Sequence, residues 1–523
     1  MKKITTLFVT AFTALLVTAQ DFEMVKDINP TGDSHPRQFA ESNNQLFFTA
    51  HDGSTRSLWK TDGSESGTVE VYEGIDPFTL TEYNGNLYFI TPITHPISGL
   101  WKSDGTTAGT ELLKEGGYIY IIEVYDNKLF FEVRGSSQRE LWITDGTVGG
   151  TQMLKIVGTN GSQSSGIHGN SAVVYNDKLY FFYDDQQDGI HHFWVSDGTT
   201  AGTQIIQTFD ATQYNNFHSN EGITQYNGKM YFNIMNSDDQ WQLWQSDGTT
   251  DGTNFLKDVV ADGMTVYNDK LYFNGREHDG NNTRSLWVSD GTASGTLILH
   301  SVVPLMSSPY QPAVEYDGEL YFGVRDDFET SLWKTDGTTA GTQMATIIEP
   351  NNFPTNYGFD IRHLTKYNNK LYFKSERRET IDEWELWESD GTPAGTQKIQ
   401  PAVSPNPNPL NNTYQILEFD GSLYFSANYD ANGQELWKLS TENLSIEDVD
   451  AAHIGIYPNP VKDVLHIQTE QEITTLTLYS ITGQRLQTWE NQSNINLSAY
   501  ANGMYLIKIK TQDGVVTKQV IKK

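Results

Sequence analysis

A single unit of 41 to 54 residues recurs along residues 21–440, and this periodicity limits the fold more than any other property of the chain. Its most regular part reads Leu-Trp-x-(Ser/Thr)-Asp-Gly-(Thr/Ser)-x-x-Gly-Thr. The tryptophans are Trp59, Trp101, Trp142, Trp194, Trp244, Trp287, Trp333, Trp387 and Trp437, about 47 residues apart. The first eight are followed by Asp-Gly, beginning with Asp62-Gly63 and Asp104-Gly105, and Trp437 is not. Upstream of each lies a second motif, such as Tyr83-Asn84-Gly85-Asn86-Leu87-Tyr88-Phe89 or Tyr267-Asn268-Asp269-Lys270-Leu271-Tyr272-Phe273.

Each unit translates into four strands. An apolar run ends at Tyr-Asn-Gly or Tyr-Asn-Asp, a tight hairpin because Asn and Gly accept positive φ. Leu-Tyr-Phe opens the second strand and Leu-Trp lies in the third. The Asp-Gly turn and its Gly-Thr exit lead into a fourth. With 44 Gly, 27 Tyr, 25 Phe and 12 Trp among 523 residues, the composition suits strands and turns. Four antiparallel strands per 40 to 50 residues predict an all-β chain whose units are the blades of a β-propeller. The N-terminal run Phe22-Glu23-Met24-Val25-Lys26-Asp27 matches the fourth strand of other units, and the Trp437 unit has no fourth strand of its own. Supplying one from the other closes the ring and removes both open edges. That gives about nine blades, with eight as the alternative.

Residues 1–19 carry Lys2 and Lys3, an apolar run and small residues at Val17 and Ala19, the pattern of a cleavable secretory signal with a mature start near Gln20. No other segment is apolar and long enough to span a bilayer, so none is expected in the mature protein. The formal charge of −31 repels phosphate backbones and excludes nucleic acid as a partner. The acid is not spread evenly: residues 454–523 hold seven basic and five acidic side chains. A polar stretch at 441–453 therefore reads as a linker between a propeller at 20–440 and a small β-sandwich of about seven short strands at 454–523. The absence of cysteine removes disulfides, thiolate metal sites and cysteine nucleophiles.

The tail carries Tyr457-Pro458-Asn459-Pro460, then Leu478-Tyr479-Ser480-Ile481-Thr482-Gly483-Gln484, then Asn502-Gly503-Met504-Tyr505-Leu506, and ends in Lys518-Gln519-Val520-Ile521-Lys522-Lys523. It resembles the type A C-terminal sorting domain of the type IX secretion system of Bacteroidetes. The motif positions are Tyr457, Pro458, Asn459, Pro460, Gly483, Gly503 and Tyr505. The resemblance implies passage through the periplasm to the cell surface or medium and contact with that secretion machinery. The repeats resemble those of the ELWxxDGT repeat proteins of Bacteroidetes, with Ser64 replacing Thr in the first copy and Phe193 replacing Leu in the fourth. That family implies a secreted or surface repeat protein and assigns no general activity.

Candidate chemistry is sought where units differ. In a four-stranded blade the first-to-second and third-to-fourth turns share one face, and the variable second-to-third loops lie on the other. Loops on a rigid scaffold are where binding residues concentrate. Trp241 and Trp384 break the repeat, each standing three positions before the repeated Trp, where a ring could stack on a sugar or cover a blade junction. His191, with Asp184 and Asp188, forms the densest ionisable cluster, although His191 and His192 must point to opposite sides of a strand. Asp239, Arg276, Arg325 and Arg377 complete the candidate ligand-binding set. The repeated Asp of each Asp-Gly admits a calcium reading, but an Asp before Gly more simply caps its own turn. No metal ligand or other cofactor is otherwise indicated. With no HExxH, Walker loop or GxSxG, no catalytic residue is named. The chain reads as a secreted or cell-surface propeller that binds a glycan or surface protein. A polysaccharide-acting glycosidase or lyase with its site on the same face, and a structural surface-layer repeat, are the alternatives.

Overall fold

A computed structural model describes residues 18–523 except 136–137, 159–165, 186–189, 211–213, 218–221, 278–282, 307–310, 326–329, 350–359, 378–382, 402–403, 405, 407, 411–412, 414, 444–453, 470, 482–484 and 512–514. Most of the expected leader, residues 1–17, and most of the expected linker thus lie outside the described residues. Among those described, the repeats form nine antiparallel sheets, eight built from strands successive in the chain and the ninth from three such strands and one from the N-terminus, with the first strand broken in two in the Trp244 and Trp333 units.

The Trp287 unit shows how sequence becomes sheet. Val259–Tyr267 pairs with Lys270–Glu277, Arg284–Ser289 follows, and Leu297–His300 is outermost in the order. Asn268 and Asp269 turn the hairpin at φ 46 and 55, values that Asn and Asp tolerate. Phe273 lies directly across from Trp287, and the rings stack 6.1 Å apart. Leu271, Phe273 and Leu286 are fully buried, because both faces of the sheet are covered by neighbouring sheets.

Nine apolar clusters join the nine sheets, and each draws on two consecutive units. The cluster that joins last to first contains Phe419, Tyr424 and Leu436 with Val25, Ile28, Phe48 and Trp59, so the array is a closed ring. The closing element is β1, Thr18–Lys26, which runs antiparallel to Glu435–Asn443 with Phe22 opposite Leu439 and Met24 opposite Trp437. Thr18 and Ala19 of the expected leader and Thr441–Asn443 of the expected linker take part in this pairing.

A buried carboxyl holds this closure. Glu435 is fully buried; its Oε2 accepts the Ile28 N–H at 2.9 Å and the Ser34 hydroxyl at 2.6 Å, while Oε1 has no hydrogen-bond partner. The Gln434 carbonyl accepts the Ser34 and His35 N–H groups, so residues 28–35 are tied to the strand that β1 completes. Burial, with Asp27 adding repulsion, raises the Glu435 carboxyl to about 7.

The tail has its own core. One sheet contains Gly455–Tyr457, Val464–Gln468 and Asn494–Asn496; the other contains Arg485–Glu490, Ile473–Ser480, Gly503–Thr511 and Val515–Lys522. Leu465, Leu476, Leu478, Ile507 and Val520 are buried between them. Seven strands in two sheets make the expected sandwich.

Two outcomes follow from the closure. Deleting residues 22–27 opens a strand edge and exposes Trp437, so thermal melting should lose cooperativity or the protein should aggregate; unchanged melting and solubility would refute closure by β1. The second concerns pH. A carboxyl near 7 when folded and near 4.5 when unfolded binds more protons in the folded chain between those values, so its contribution to stability falls as pH rises through that window. Glu132, likewise buried and raised to about 7, acts in the same direction. Glu435→Gln should therefore flatten part of the decline, seen as a smaller drop in denaturation midpoint between pH 5 and pH 8 than in the wild type.

Candidate functional site

The two faces of the ring are built differently, and the uniform one explains the repeat. In the loop at Asp247, Oδ1 accepts the Thr249 N–H at 2.9 Å and the Thr249 hydroxyl at 2.7 Å. The Gly252 N–H donates to the Thr249 hydroxyl, the Thr253 hydroxyl donates to the Thr249 carbonyl, and the Gly248 N–H donates to Ser246 Oγ. Gly248 has φ +90, and a Cβ there would run into the Tyr180 hydroxyl of the preceding unit; a Cβ on Gly252 would overlap the Asp247 carboxylate. These side-chain and backbone hydrogen bonds hold the Asp247 carboxyl below its usual value. The same Asp-centred pair of bonds recurs at Asp62, Asp104, Asp145, Asp197, Asp290, Asp336 and Asp390. The turn alone accounts for the repeated carboxylate.

The motif also welds units together. The hydroxyls of Thr107, Thr200, Thr250 and Thr339 donate to fourth-strand carbonyls of the preceding unit, and those of Tyr226, Tyr316 and Tyr367 donate to a hairpin-turn carbonyl of the next. A further contact escaped the reading of the sequence. At five junctions the residue opposite the Leu of Leu-Trp covers the Trp of the next unit: Tyr72 lies 5.8 Å from Trp101, Lys114 5.0 Å from Trp142, Lys155 5.8 Å from Trp194, Lys257 5.4 Å from Trp287 and His300 5.4 Å from Trp333. Its signal was available, since each stands four residues after the Thr of Gly-Thr.

The opposite face carries the irregular chemistry. Its buried polar groups include Glu132, Arg139, Asp262, Lys374, Glu385 and Glu435, whereas those at the turn end are mostly Ser and Thr. Glu132 accepts the Arg134 Nε–H at 2.9 Å and the Ile167 N–H at 3.1 Å, and Arg134 lies 3.9 Å from the centre of the Tyr120 ring.

The proposed ligand residues fare unequally. Trp241 opens the strand Trp241–Ser246 and is half-buried, Asp239 is exposed in the loop before it at φ 59, and Arg276 is half-buried opposite Arg284. Trp384 does not present an open ring: it is 7% exposed in the junction between the Trp387 and Trp437 units, with Arg362 4.8 Å and Lys374 4.4 Å from its ring centre. Of the two roles open to it, covering the junction is the one the packing shows. His191 is also corrected, being 2% exposed within the strand Ile190–Ser196, while His192 points the other way toward Tyr183 and Thr208. Asp184 pairs with His191 through the backbone, and Arg325 and Arg377 end their strands at Thr330 and Glu383; the placements of these three side chains, and Asp188 altogether, lie outside the described residues.

In the tail, Asn459 acts as a clamp. Its amide donates to the Gln519 carbonyl at 2.8 Å and its Oδ1 accepts the Ile521 N–H at 2.9 Å, fixing the last strand. Tyr457 stacks on His466; Pro458 and Pro460 flank Asn459 in the chain; Gly503 opens the strand opposite Lys522; and the Tyr505 hydroxyl donates to the Ala501 carbonyl. Gly483 lies outside the described residues. Residues 455–523 match the family described as the secretion system C-terminal sorting domain. The tail is a sorting domain. It marks the protein as secreted or held at the cell surface and implies interaction with the secretion machinery.

No curated protein sequence matches the chain. Among solved structures it is similar to the β-propeller domain of the Trilobed protease from Pyrococcus furiosus (11% identity, TM-score 0.33, covering 71% of this chain and 99% of that one). It is also similar to oligopeptidase B from Leishmania major (10% identity, TM-score 0.38, 68% and 55%) and to a prolyl endopeptidase (8% identity, TM-score 0.35, 84% and 54%). The chain spans about half the length of these two peptidases. The likeness is one of architecture.

Because Asp247 acts within its own turn, Asp247→Ala should lower stability by roughly 0.5–2 kcal/mol, in the range of a lost side-chain cap. Gly252→Ala, which forces a methyl group into the same carboxylate, should cost at least as much, and the two losses should not add. Denaturant titration of both single variants and the double variant checks this.

Proposed function

We propose that the chain is an exported β-propeller that binds an extracellular glycan or surface protein through the face opposite its Asp-Gly turns. The observation that carries this reading is the asymmetry of the ring: one face repeats a single set of hydrogen bonds, while the other holds buried charges and half-buried aromatics that differ from unit to unit. A scaffold that needed only to fold would have no use for Arg139, Glu132 or Lys374 at sites where other units manage without a buried charge.

The ELWxxDGT resemblance and the Bacteroidetes origin belong to this proposal, as do a leader at 1–19, export specifically by the type IX pathway, and a propeller at 20–440 followed by the sorting tail. On this reading Trp241, Asp239 and Arg276 contribute to the binding face, with Asp184, Asp188, Arg325 and Arg377 on the neighbouring loops.

The test is a glycan-array screen of the mature protein, with product analysis of every glycan retained. A binder keeps glycan intact, and Trp241→Ala should weaken retention about fivefold or more with little change in melting. Release of reducing ends or unsaturated products would establish the polysaccharide-acting alternative. Self-association with no ligand would favour a surface-layer role.

A further inference from the structure

The junction between the Trp59 and Trp101 units, on the same variable face, contains a concentration of unsatisfied polar atoms. Asp76 Oδ1, Arg37 Nε, Gln38 Oε1 and Thr55 Oγ1 are all shielded from solvent without a hydrogen-bond partner. Buried polar groups are ordinarily satisfied, so several in one neighbourhood require a cause. The two cations make the point sharper. Arg37 Nη2 and Arg56 Nε both stand 3.9 Å from Asp76 Oδ1, inside ion-pair range but beyond hydrogen-bonding distance.

The backbone here is strained as well. First strands bulge at an equivalent step in four units, and the bulge residue is Gln38, Thr79, Gly263 or His363. Gly263 adopts φ +62 at no steric cost, whereas Gln38 holds φ 58 and Thr79 holds φ 54, an outlying conformation for a β-branched side chain. Asp76 itself sits at φ 40. A turn that glycine fills in the Trp287 unit is built here from residues that bear functional groups, and such strain clusters at binding sites.

We infer that Arg37, Arg56, Asp76 and Phe78 form a binding site for a neutral, hydroxyl-rich ligand, a saccharide. The inference rests on the binding reading above and adds to it a site and a ligand class. A sugar hydroxyl set between Asp76 and the guanidinium groups donates to the carboxylate and accepts from an arginine, the two things these groups lack from one another. Gln38 offers a further acceptor and Thr55 a hydroxyl. The Arg37 guanidinium now lies 5.5 Å from the centre of the Phe78 ring, and its side chain is 31% exposed. It closes the site: as it lifts away from Phe78 it uncovers Asp76 Oδ1 and frees the aromatic face for the apolar side of a sugar ring. Arg56, 15% exposed and donating to the His35 carbonyl at 3.0 Å, stays as the fixed donor. A uronate would have to place its carboxylate beside Asp76, which disfavours acidic glycans.

The mature full-length protein is tested against neutral hexasaccharides of gluco, xylo, manno and galacto configuration and against oligogalacturonate, using wild type, Asp76→Asn, Arg37→Ala and the turn variant Asp247→Ala. At least one neutral probe should be retained, with affinity reduced tenfold or more by Asp76→Asn and by Arg37→Ala and unchanged by Asp247→Ala. Asp76→Asn is nearly isosteric, so its melting midpoint should stay close to wild type. Retention indifferent to Asp76→Asn and Arg37→Ala overturns this site while leaving the binding reading in place. Retention of oligogalacturonate alone overturns the ligand class. No retention of any probe overturns the saccharide assignment, and a protein ligand recovered on the variable face would then still support the broader reading. A large drop in melting for Asp76→Asn with binding intact assigns the cluster to structure alone and overturns it.

Discussion

A four-stranded sheet has two faces, and in this chain neither can be left to water. In one unit Phe273 and Trp287 pack against the preceding sheet while Tyr272 and Leu286 pack against the next, and in another Phe181 and Trp194 face back while Tyr180 and Phe182 face forward. Truncating one such ring to alanine costs about 3–5 kcal/mol, against about 1 kcal/mol for a typical side-chain hydrogen bond in a turn. The shared apolar layer therefore sets the stability, and the turns set the register in which layers meet. A linear stack of such units would end in two exposed sheets. Closing the stack with β1 is the arrangement that leaves none, and it explains why a strand from the N-terminus lies against Trp437, 413 positions along the chain from its partner Met24.

What could be read from the sequence was whatever local geometry dictates. Asn-Gly and Asp-Gly announce positive φ in the residues themselves, and the unmatched run at Phe22 announces its absence from the last unit. The sandwich of the tail was legible for the same reason, from alternation within short runs. Less could be read where the deciding neighbour is remote in sequence. Trp384 departs from the repeat as a binding residue would, yet Arg362 and Lys374 enclose it, and neither lies on its own strand. His191 looked accessible because it adjoins a variable loop, but its strand turns it inward. The fourth-strand residues that cover five of the Trp rings keep a fixed position and went unnoticed because their identities vary among Tyr, Lys and His. A long, flat or cationic side chain suffices to cover an indole, so selection fixes the place and leaves the residue free.

The two ends of each unit handle buried polarity by different means. At the turn end, pairs such as Ser246 and Thr253 or Ser289 and Thr296 share a hydroxyl contact at 2.7–2.8 Å, needing no charge and little space. At the other end, carboxylates and guanidinium groups are taken out of water, a course that brings desolvation costs and is seldom favourable for folding alone. Burial raises the carboxyls of Glu132 and Glu435 to about 7, in the direction that desolvation dictates. Glu435 has a structural return in the closure it holds. At Asp76 and Arg37 the ion pair is loose, 3.9 Å apart, and leaves Asp76 Oδ1 and Arg37 Nε without a hydrogen-bond partner in the fold.

The sorting domain adds a second division. Its clamp, Asn459 on the backbone of Gln519 and Ile521, works within the tail, and so does its core. Toward the ring it presents Arg485, 2.8 Å from Asp21 on β1, with side chains that are 38% and 26% exposed. An ion pair so placed contributes at most about 1 kcal/mol and less in salt, far below what the tail's own buried Leu and Ile supply. The sorting domain is thus folded by its own residues, and the loops of the ring can vary without altering it. That independence suits a design in which one face of the propeller is held constant by the geometry of its turns while the other differs from unit to unit.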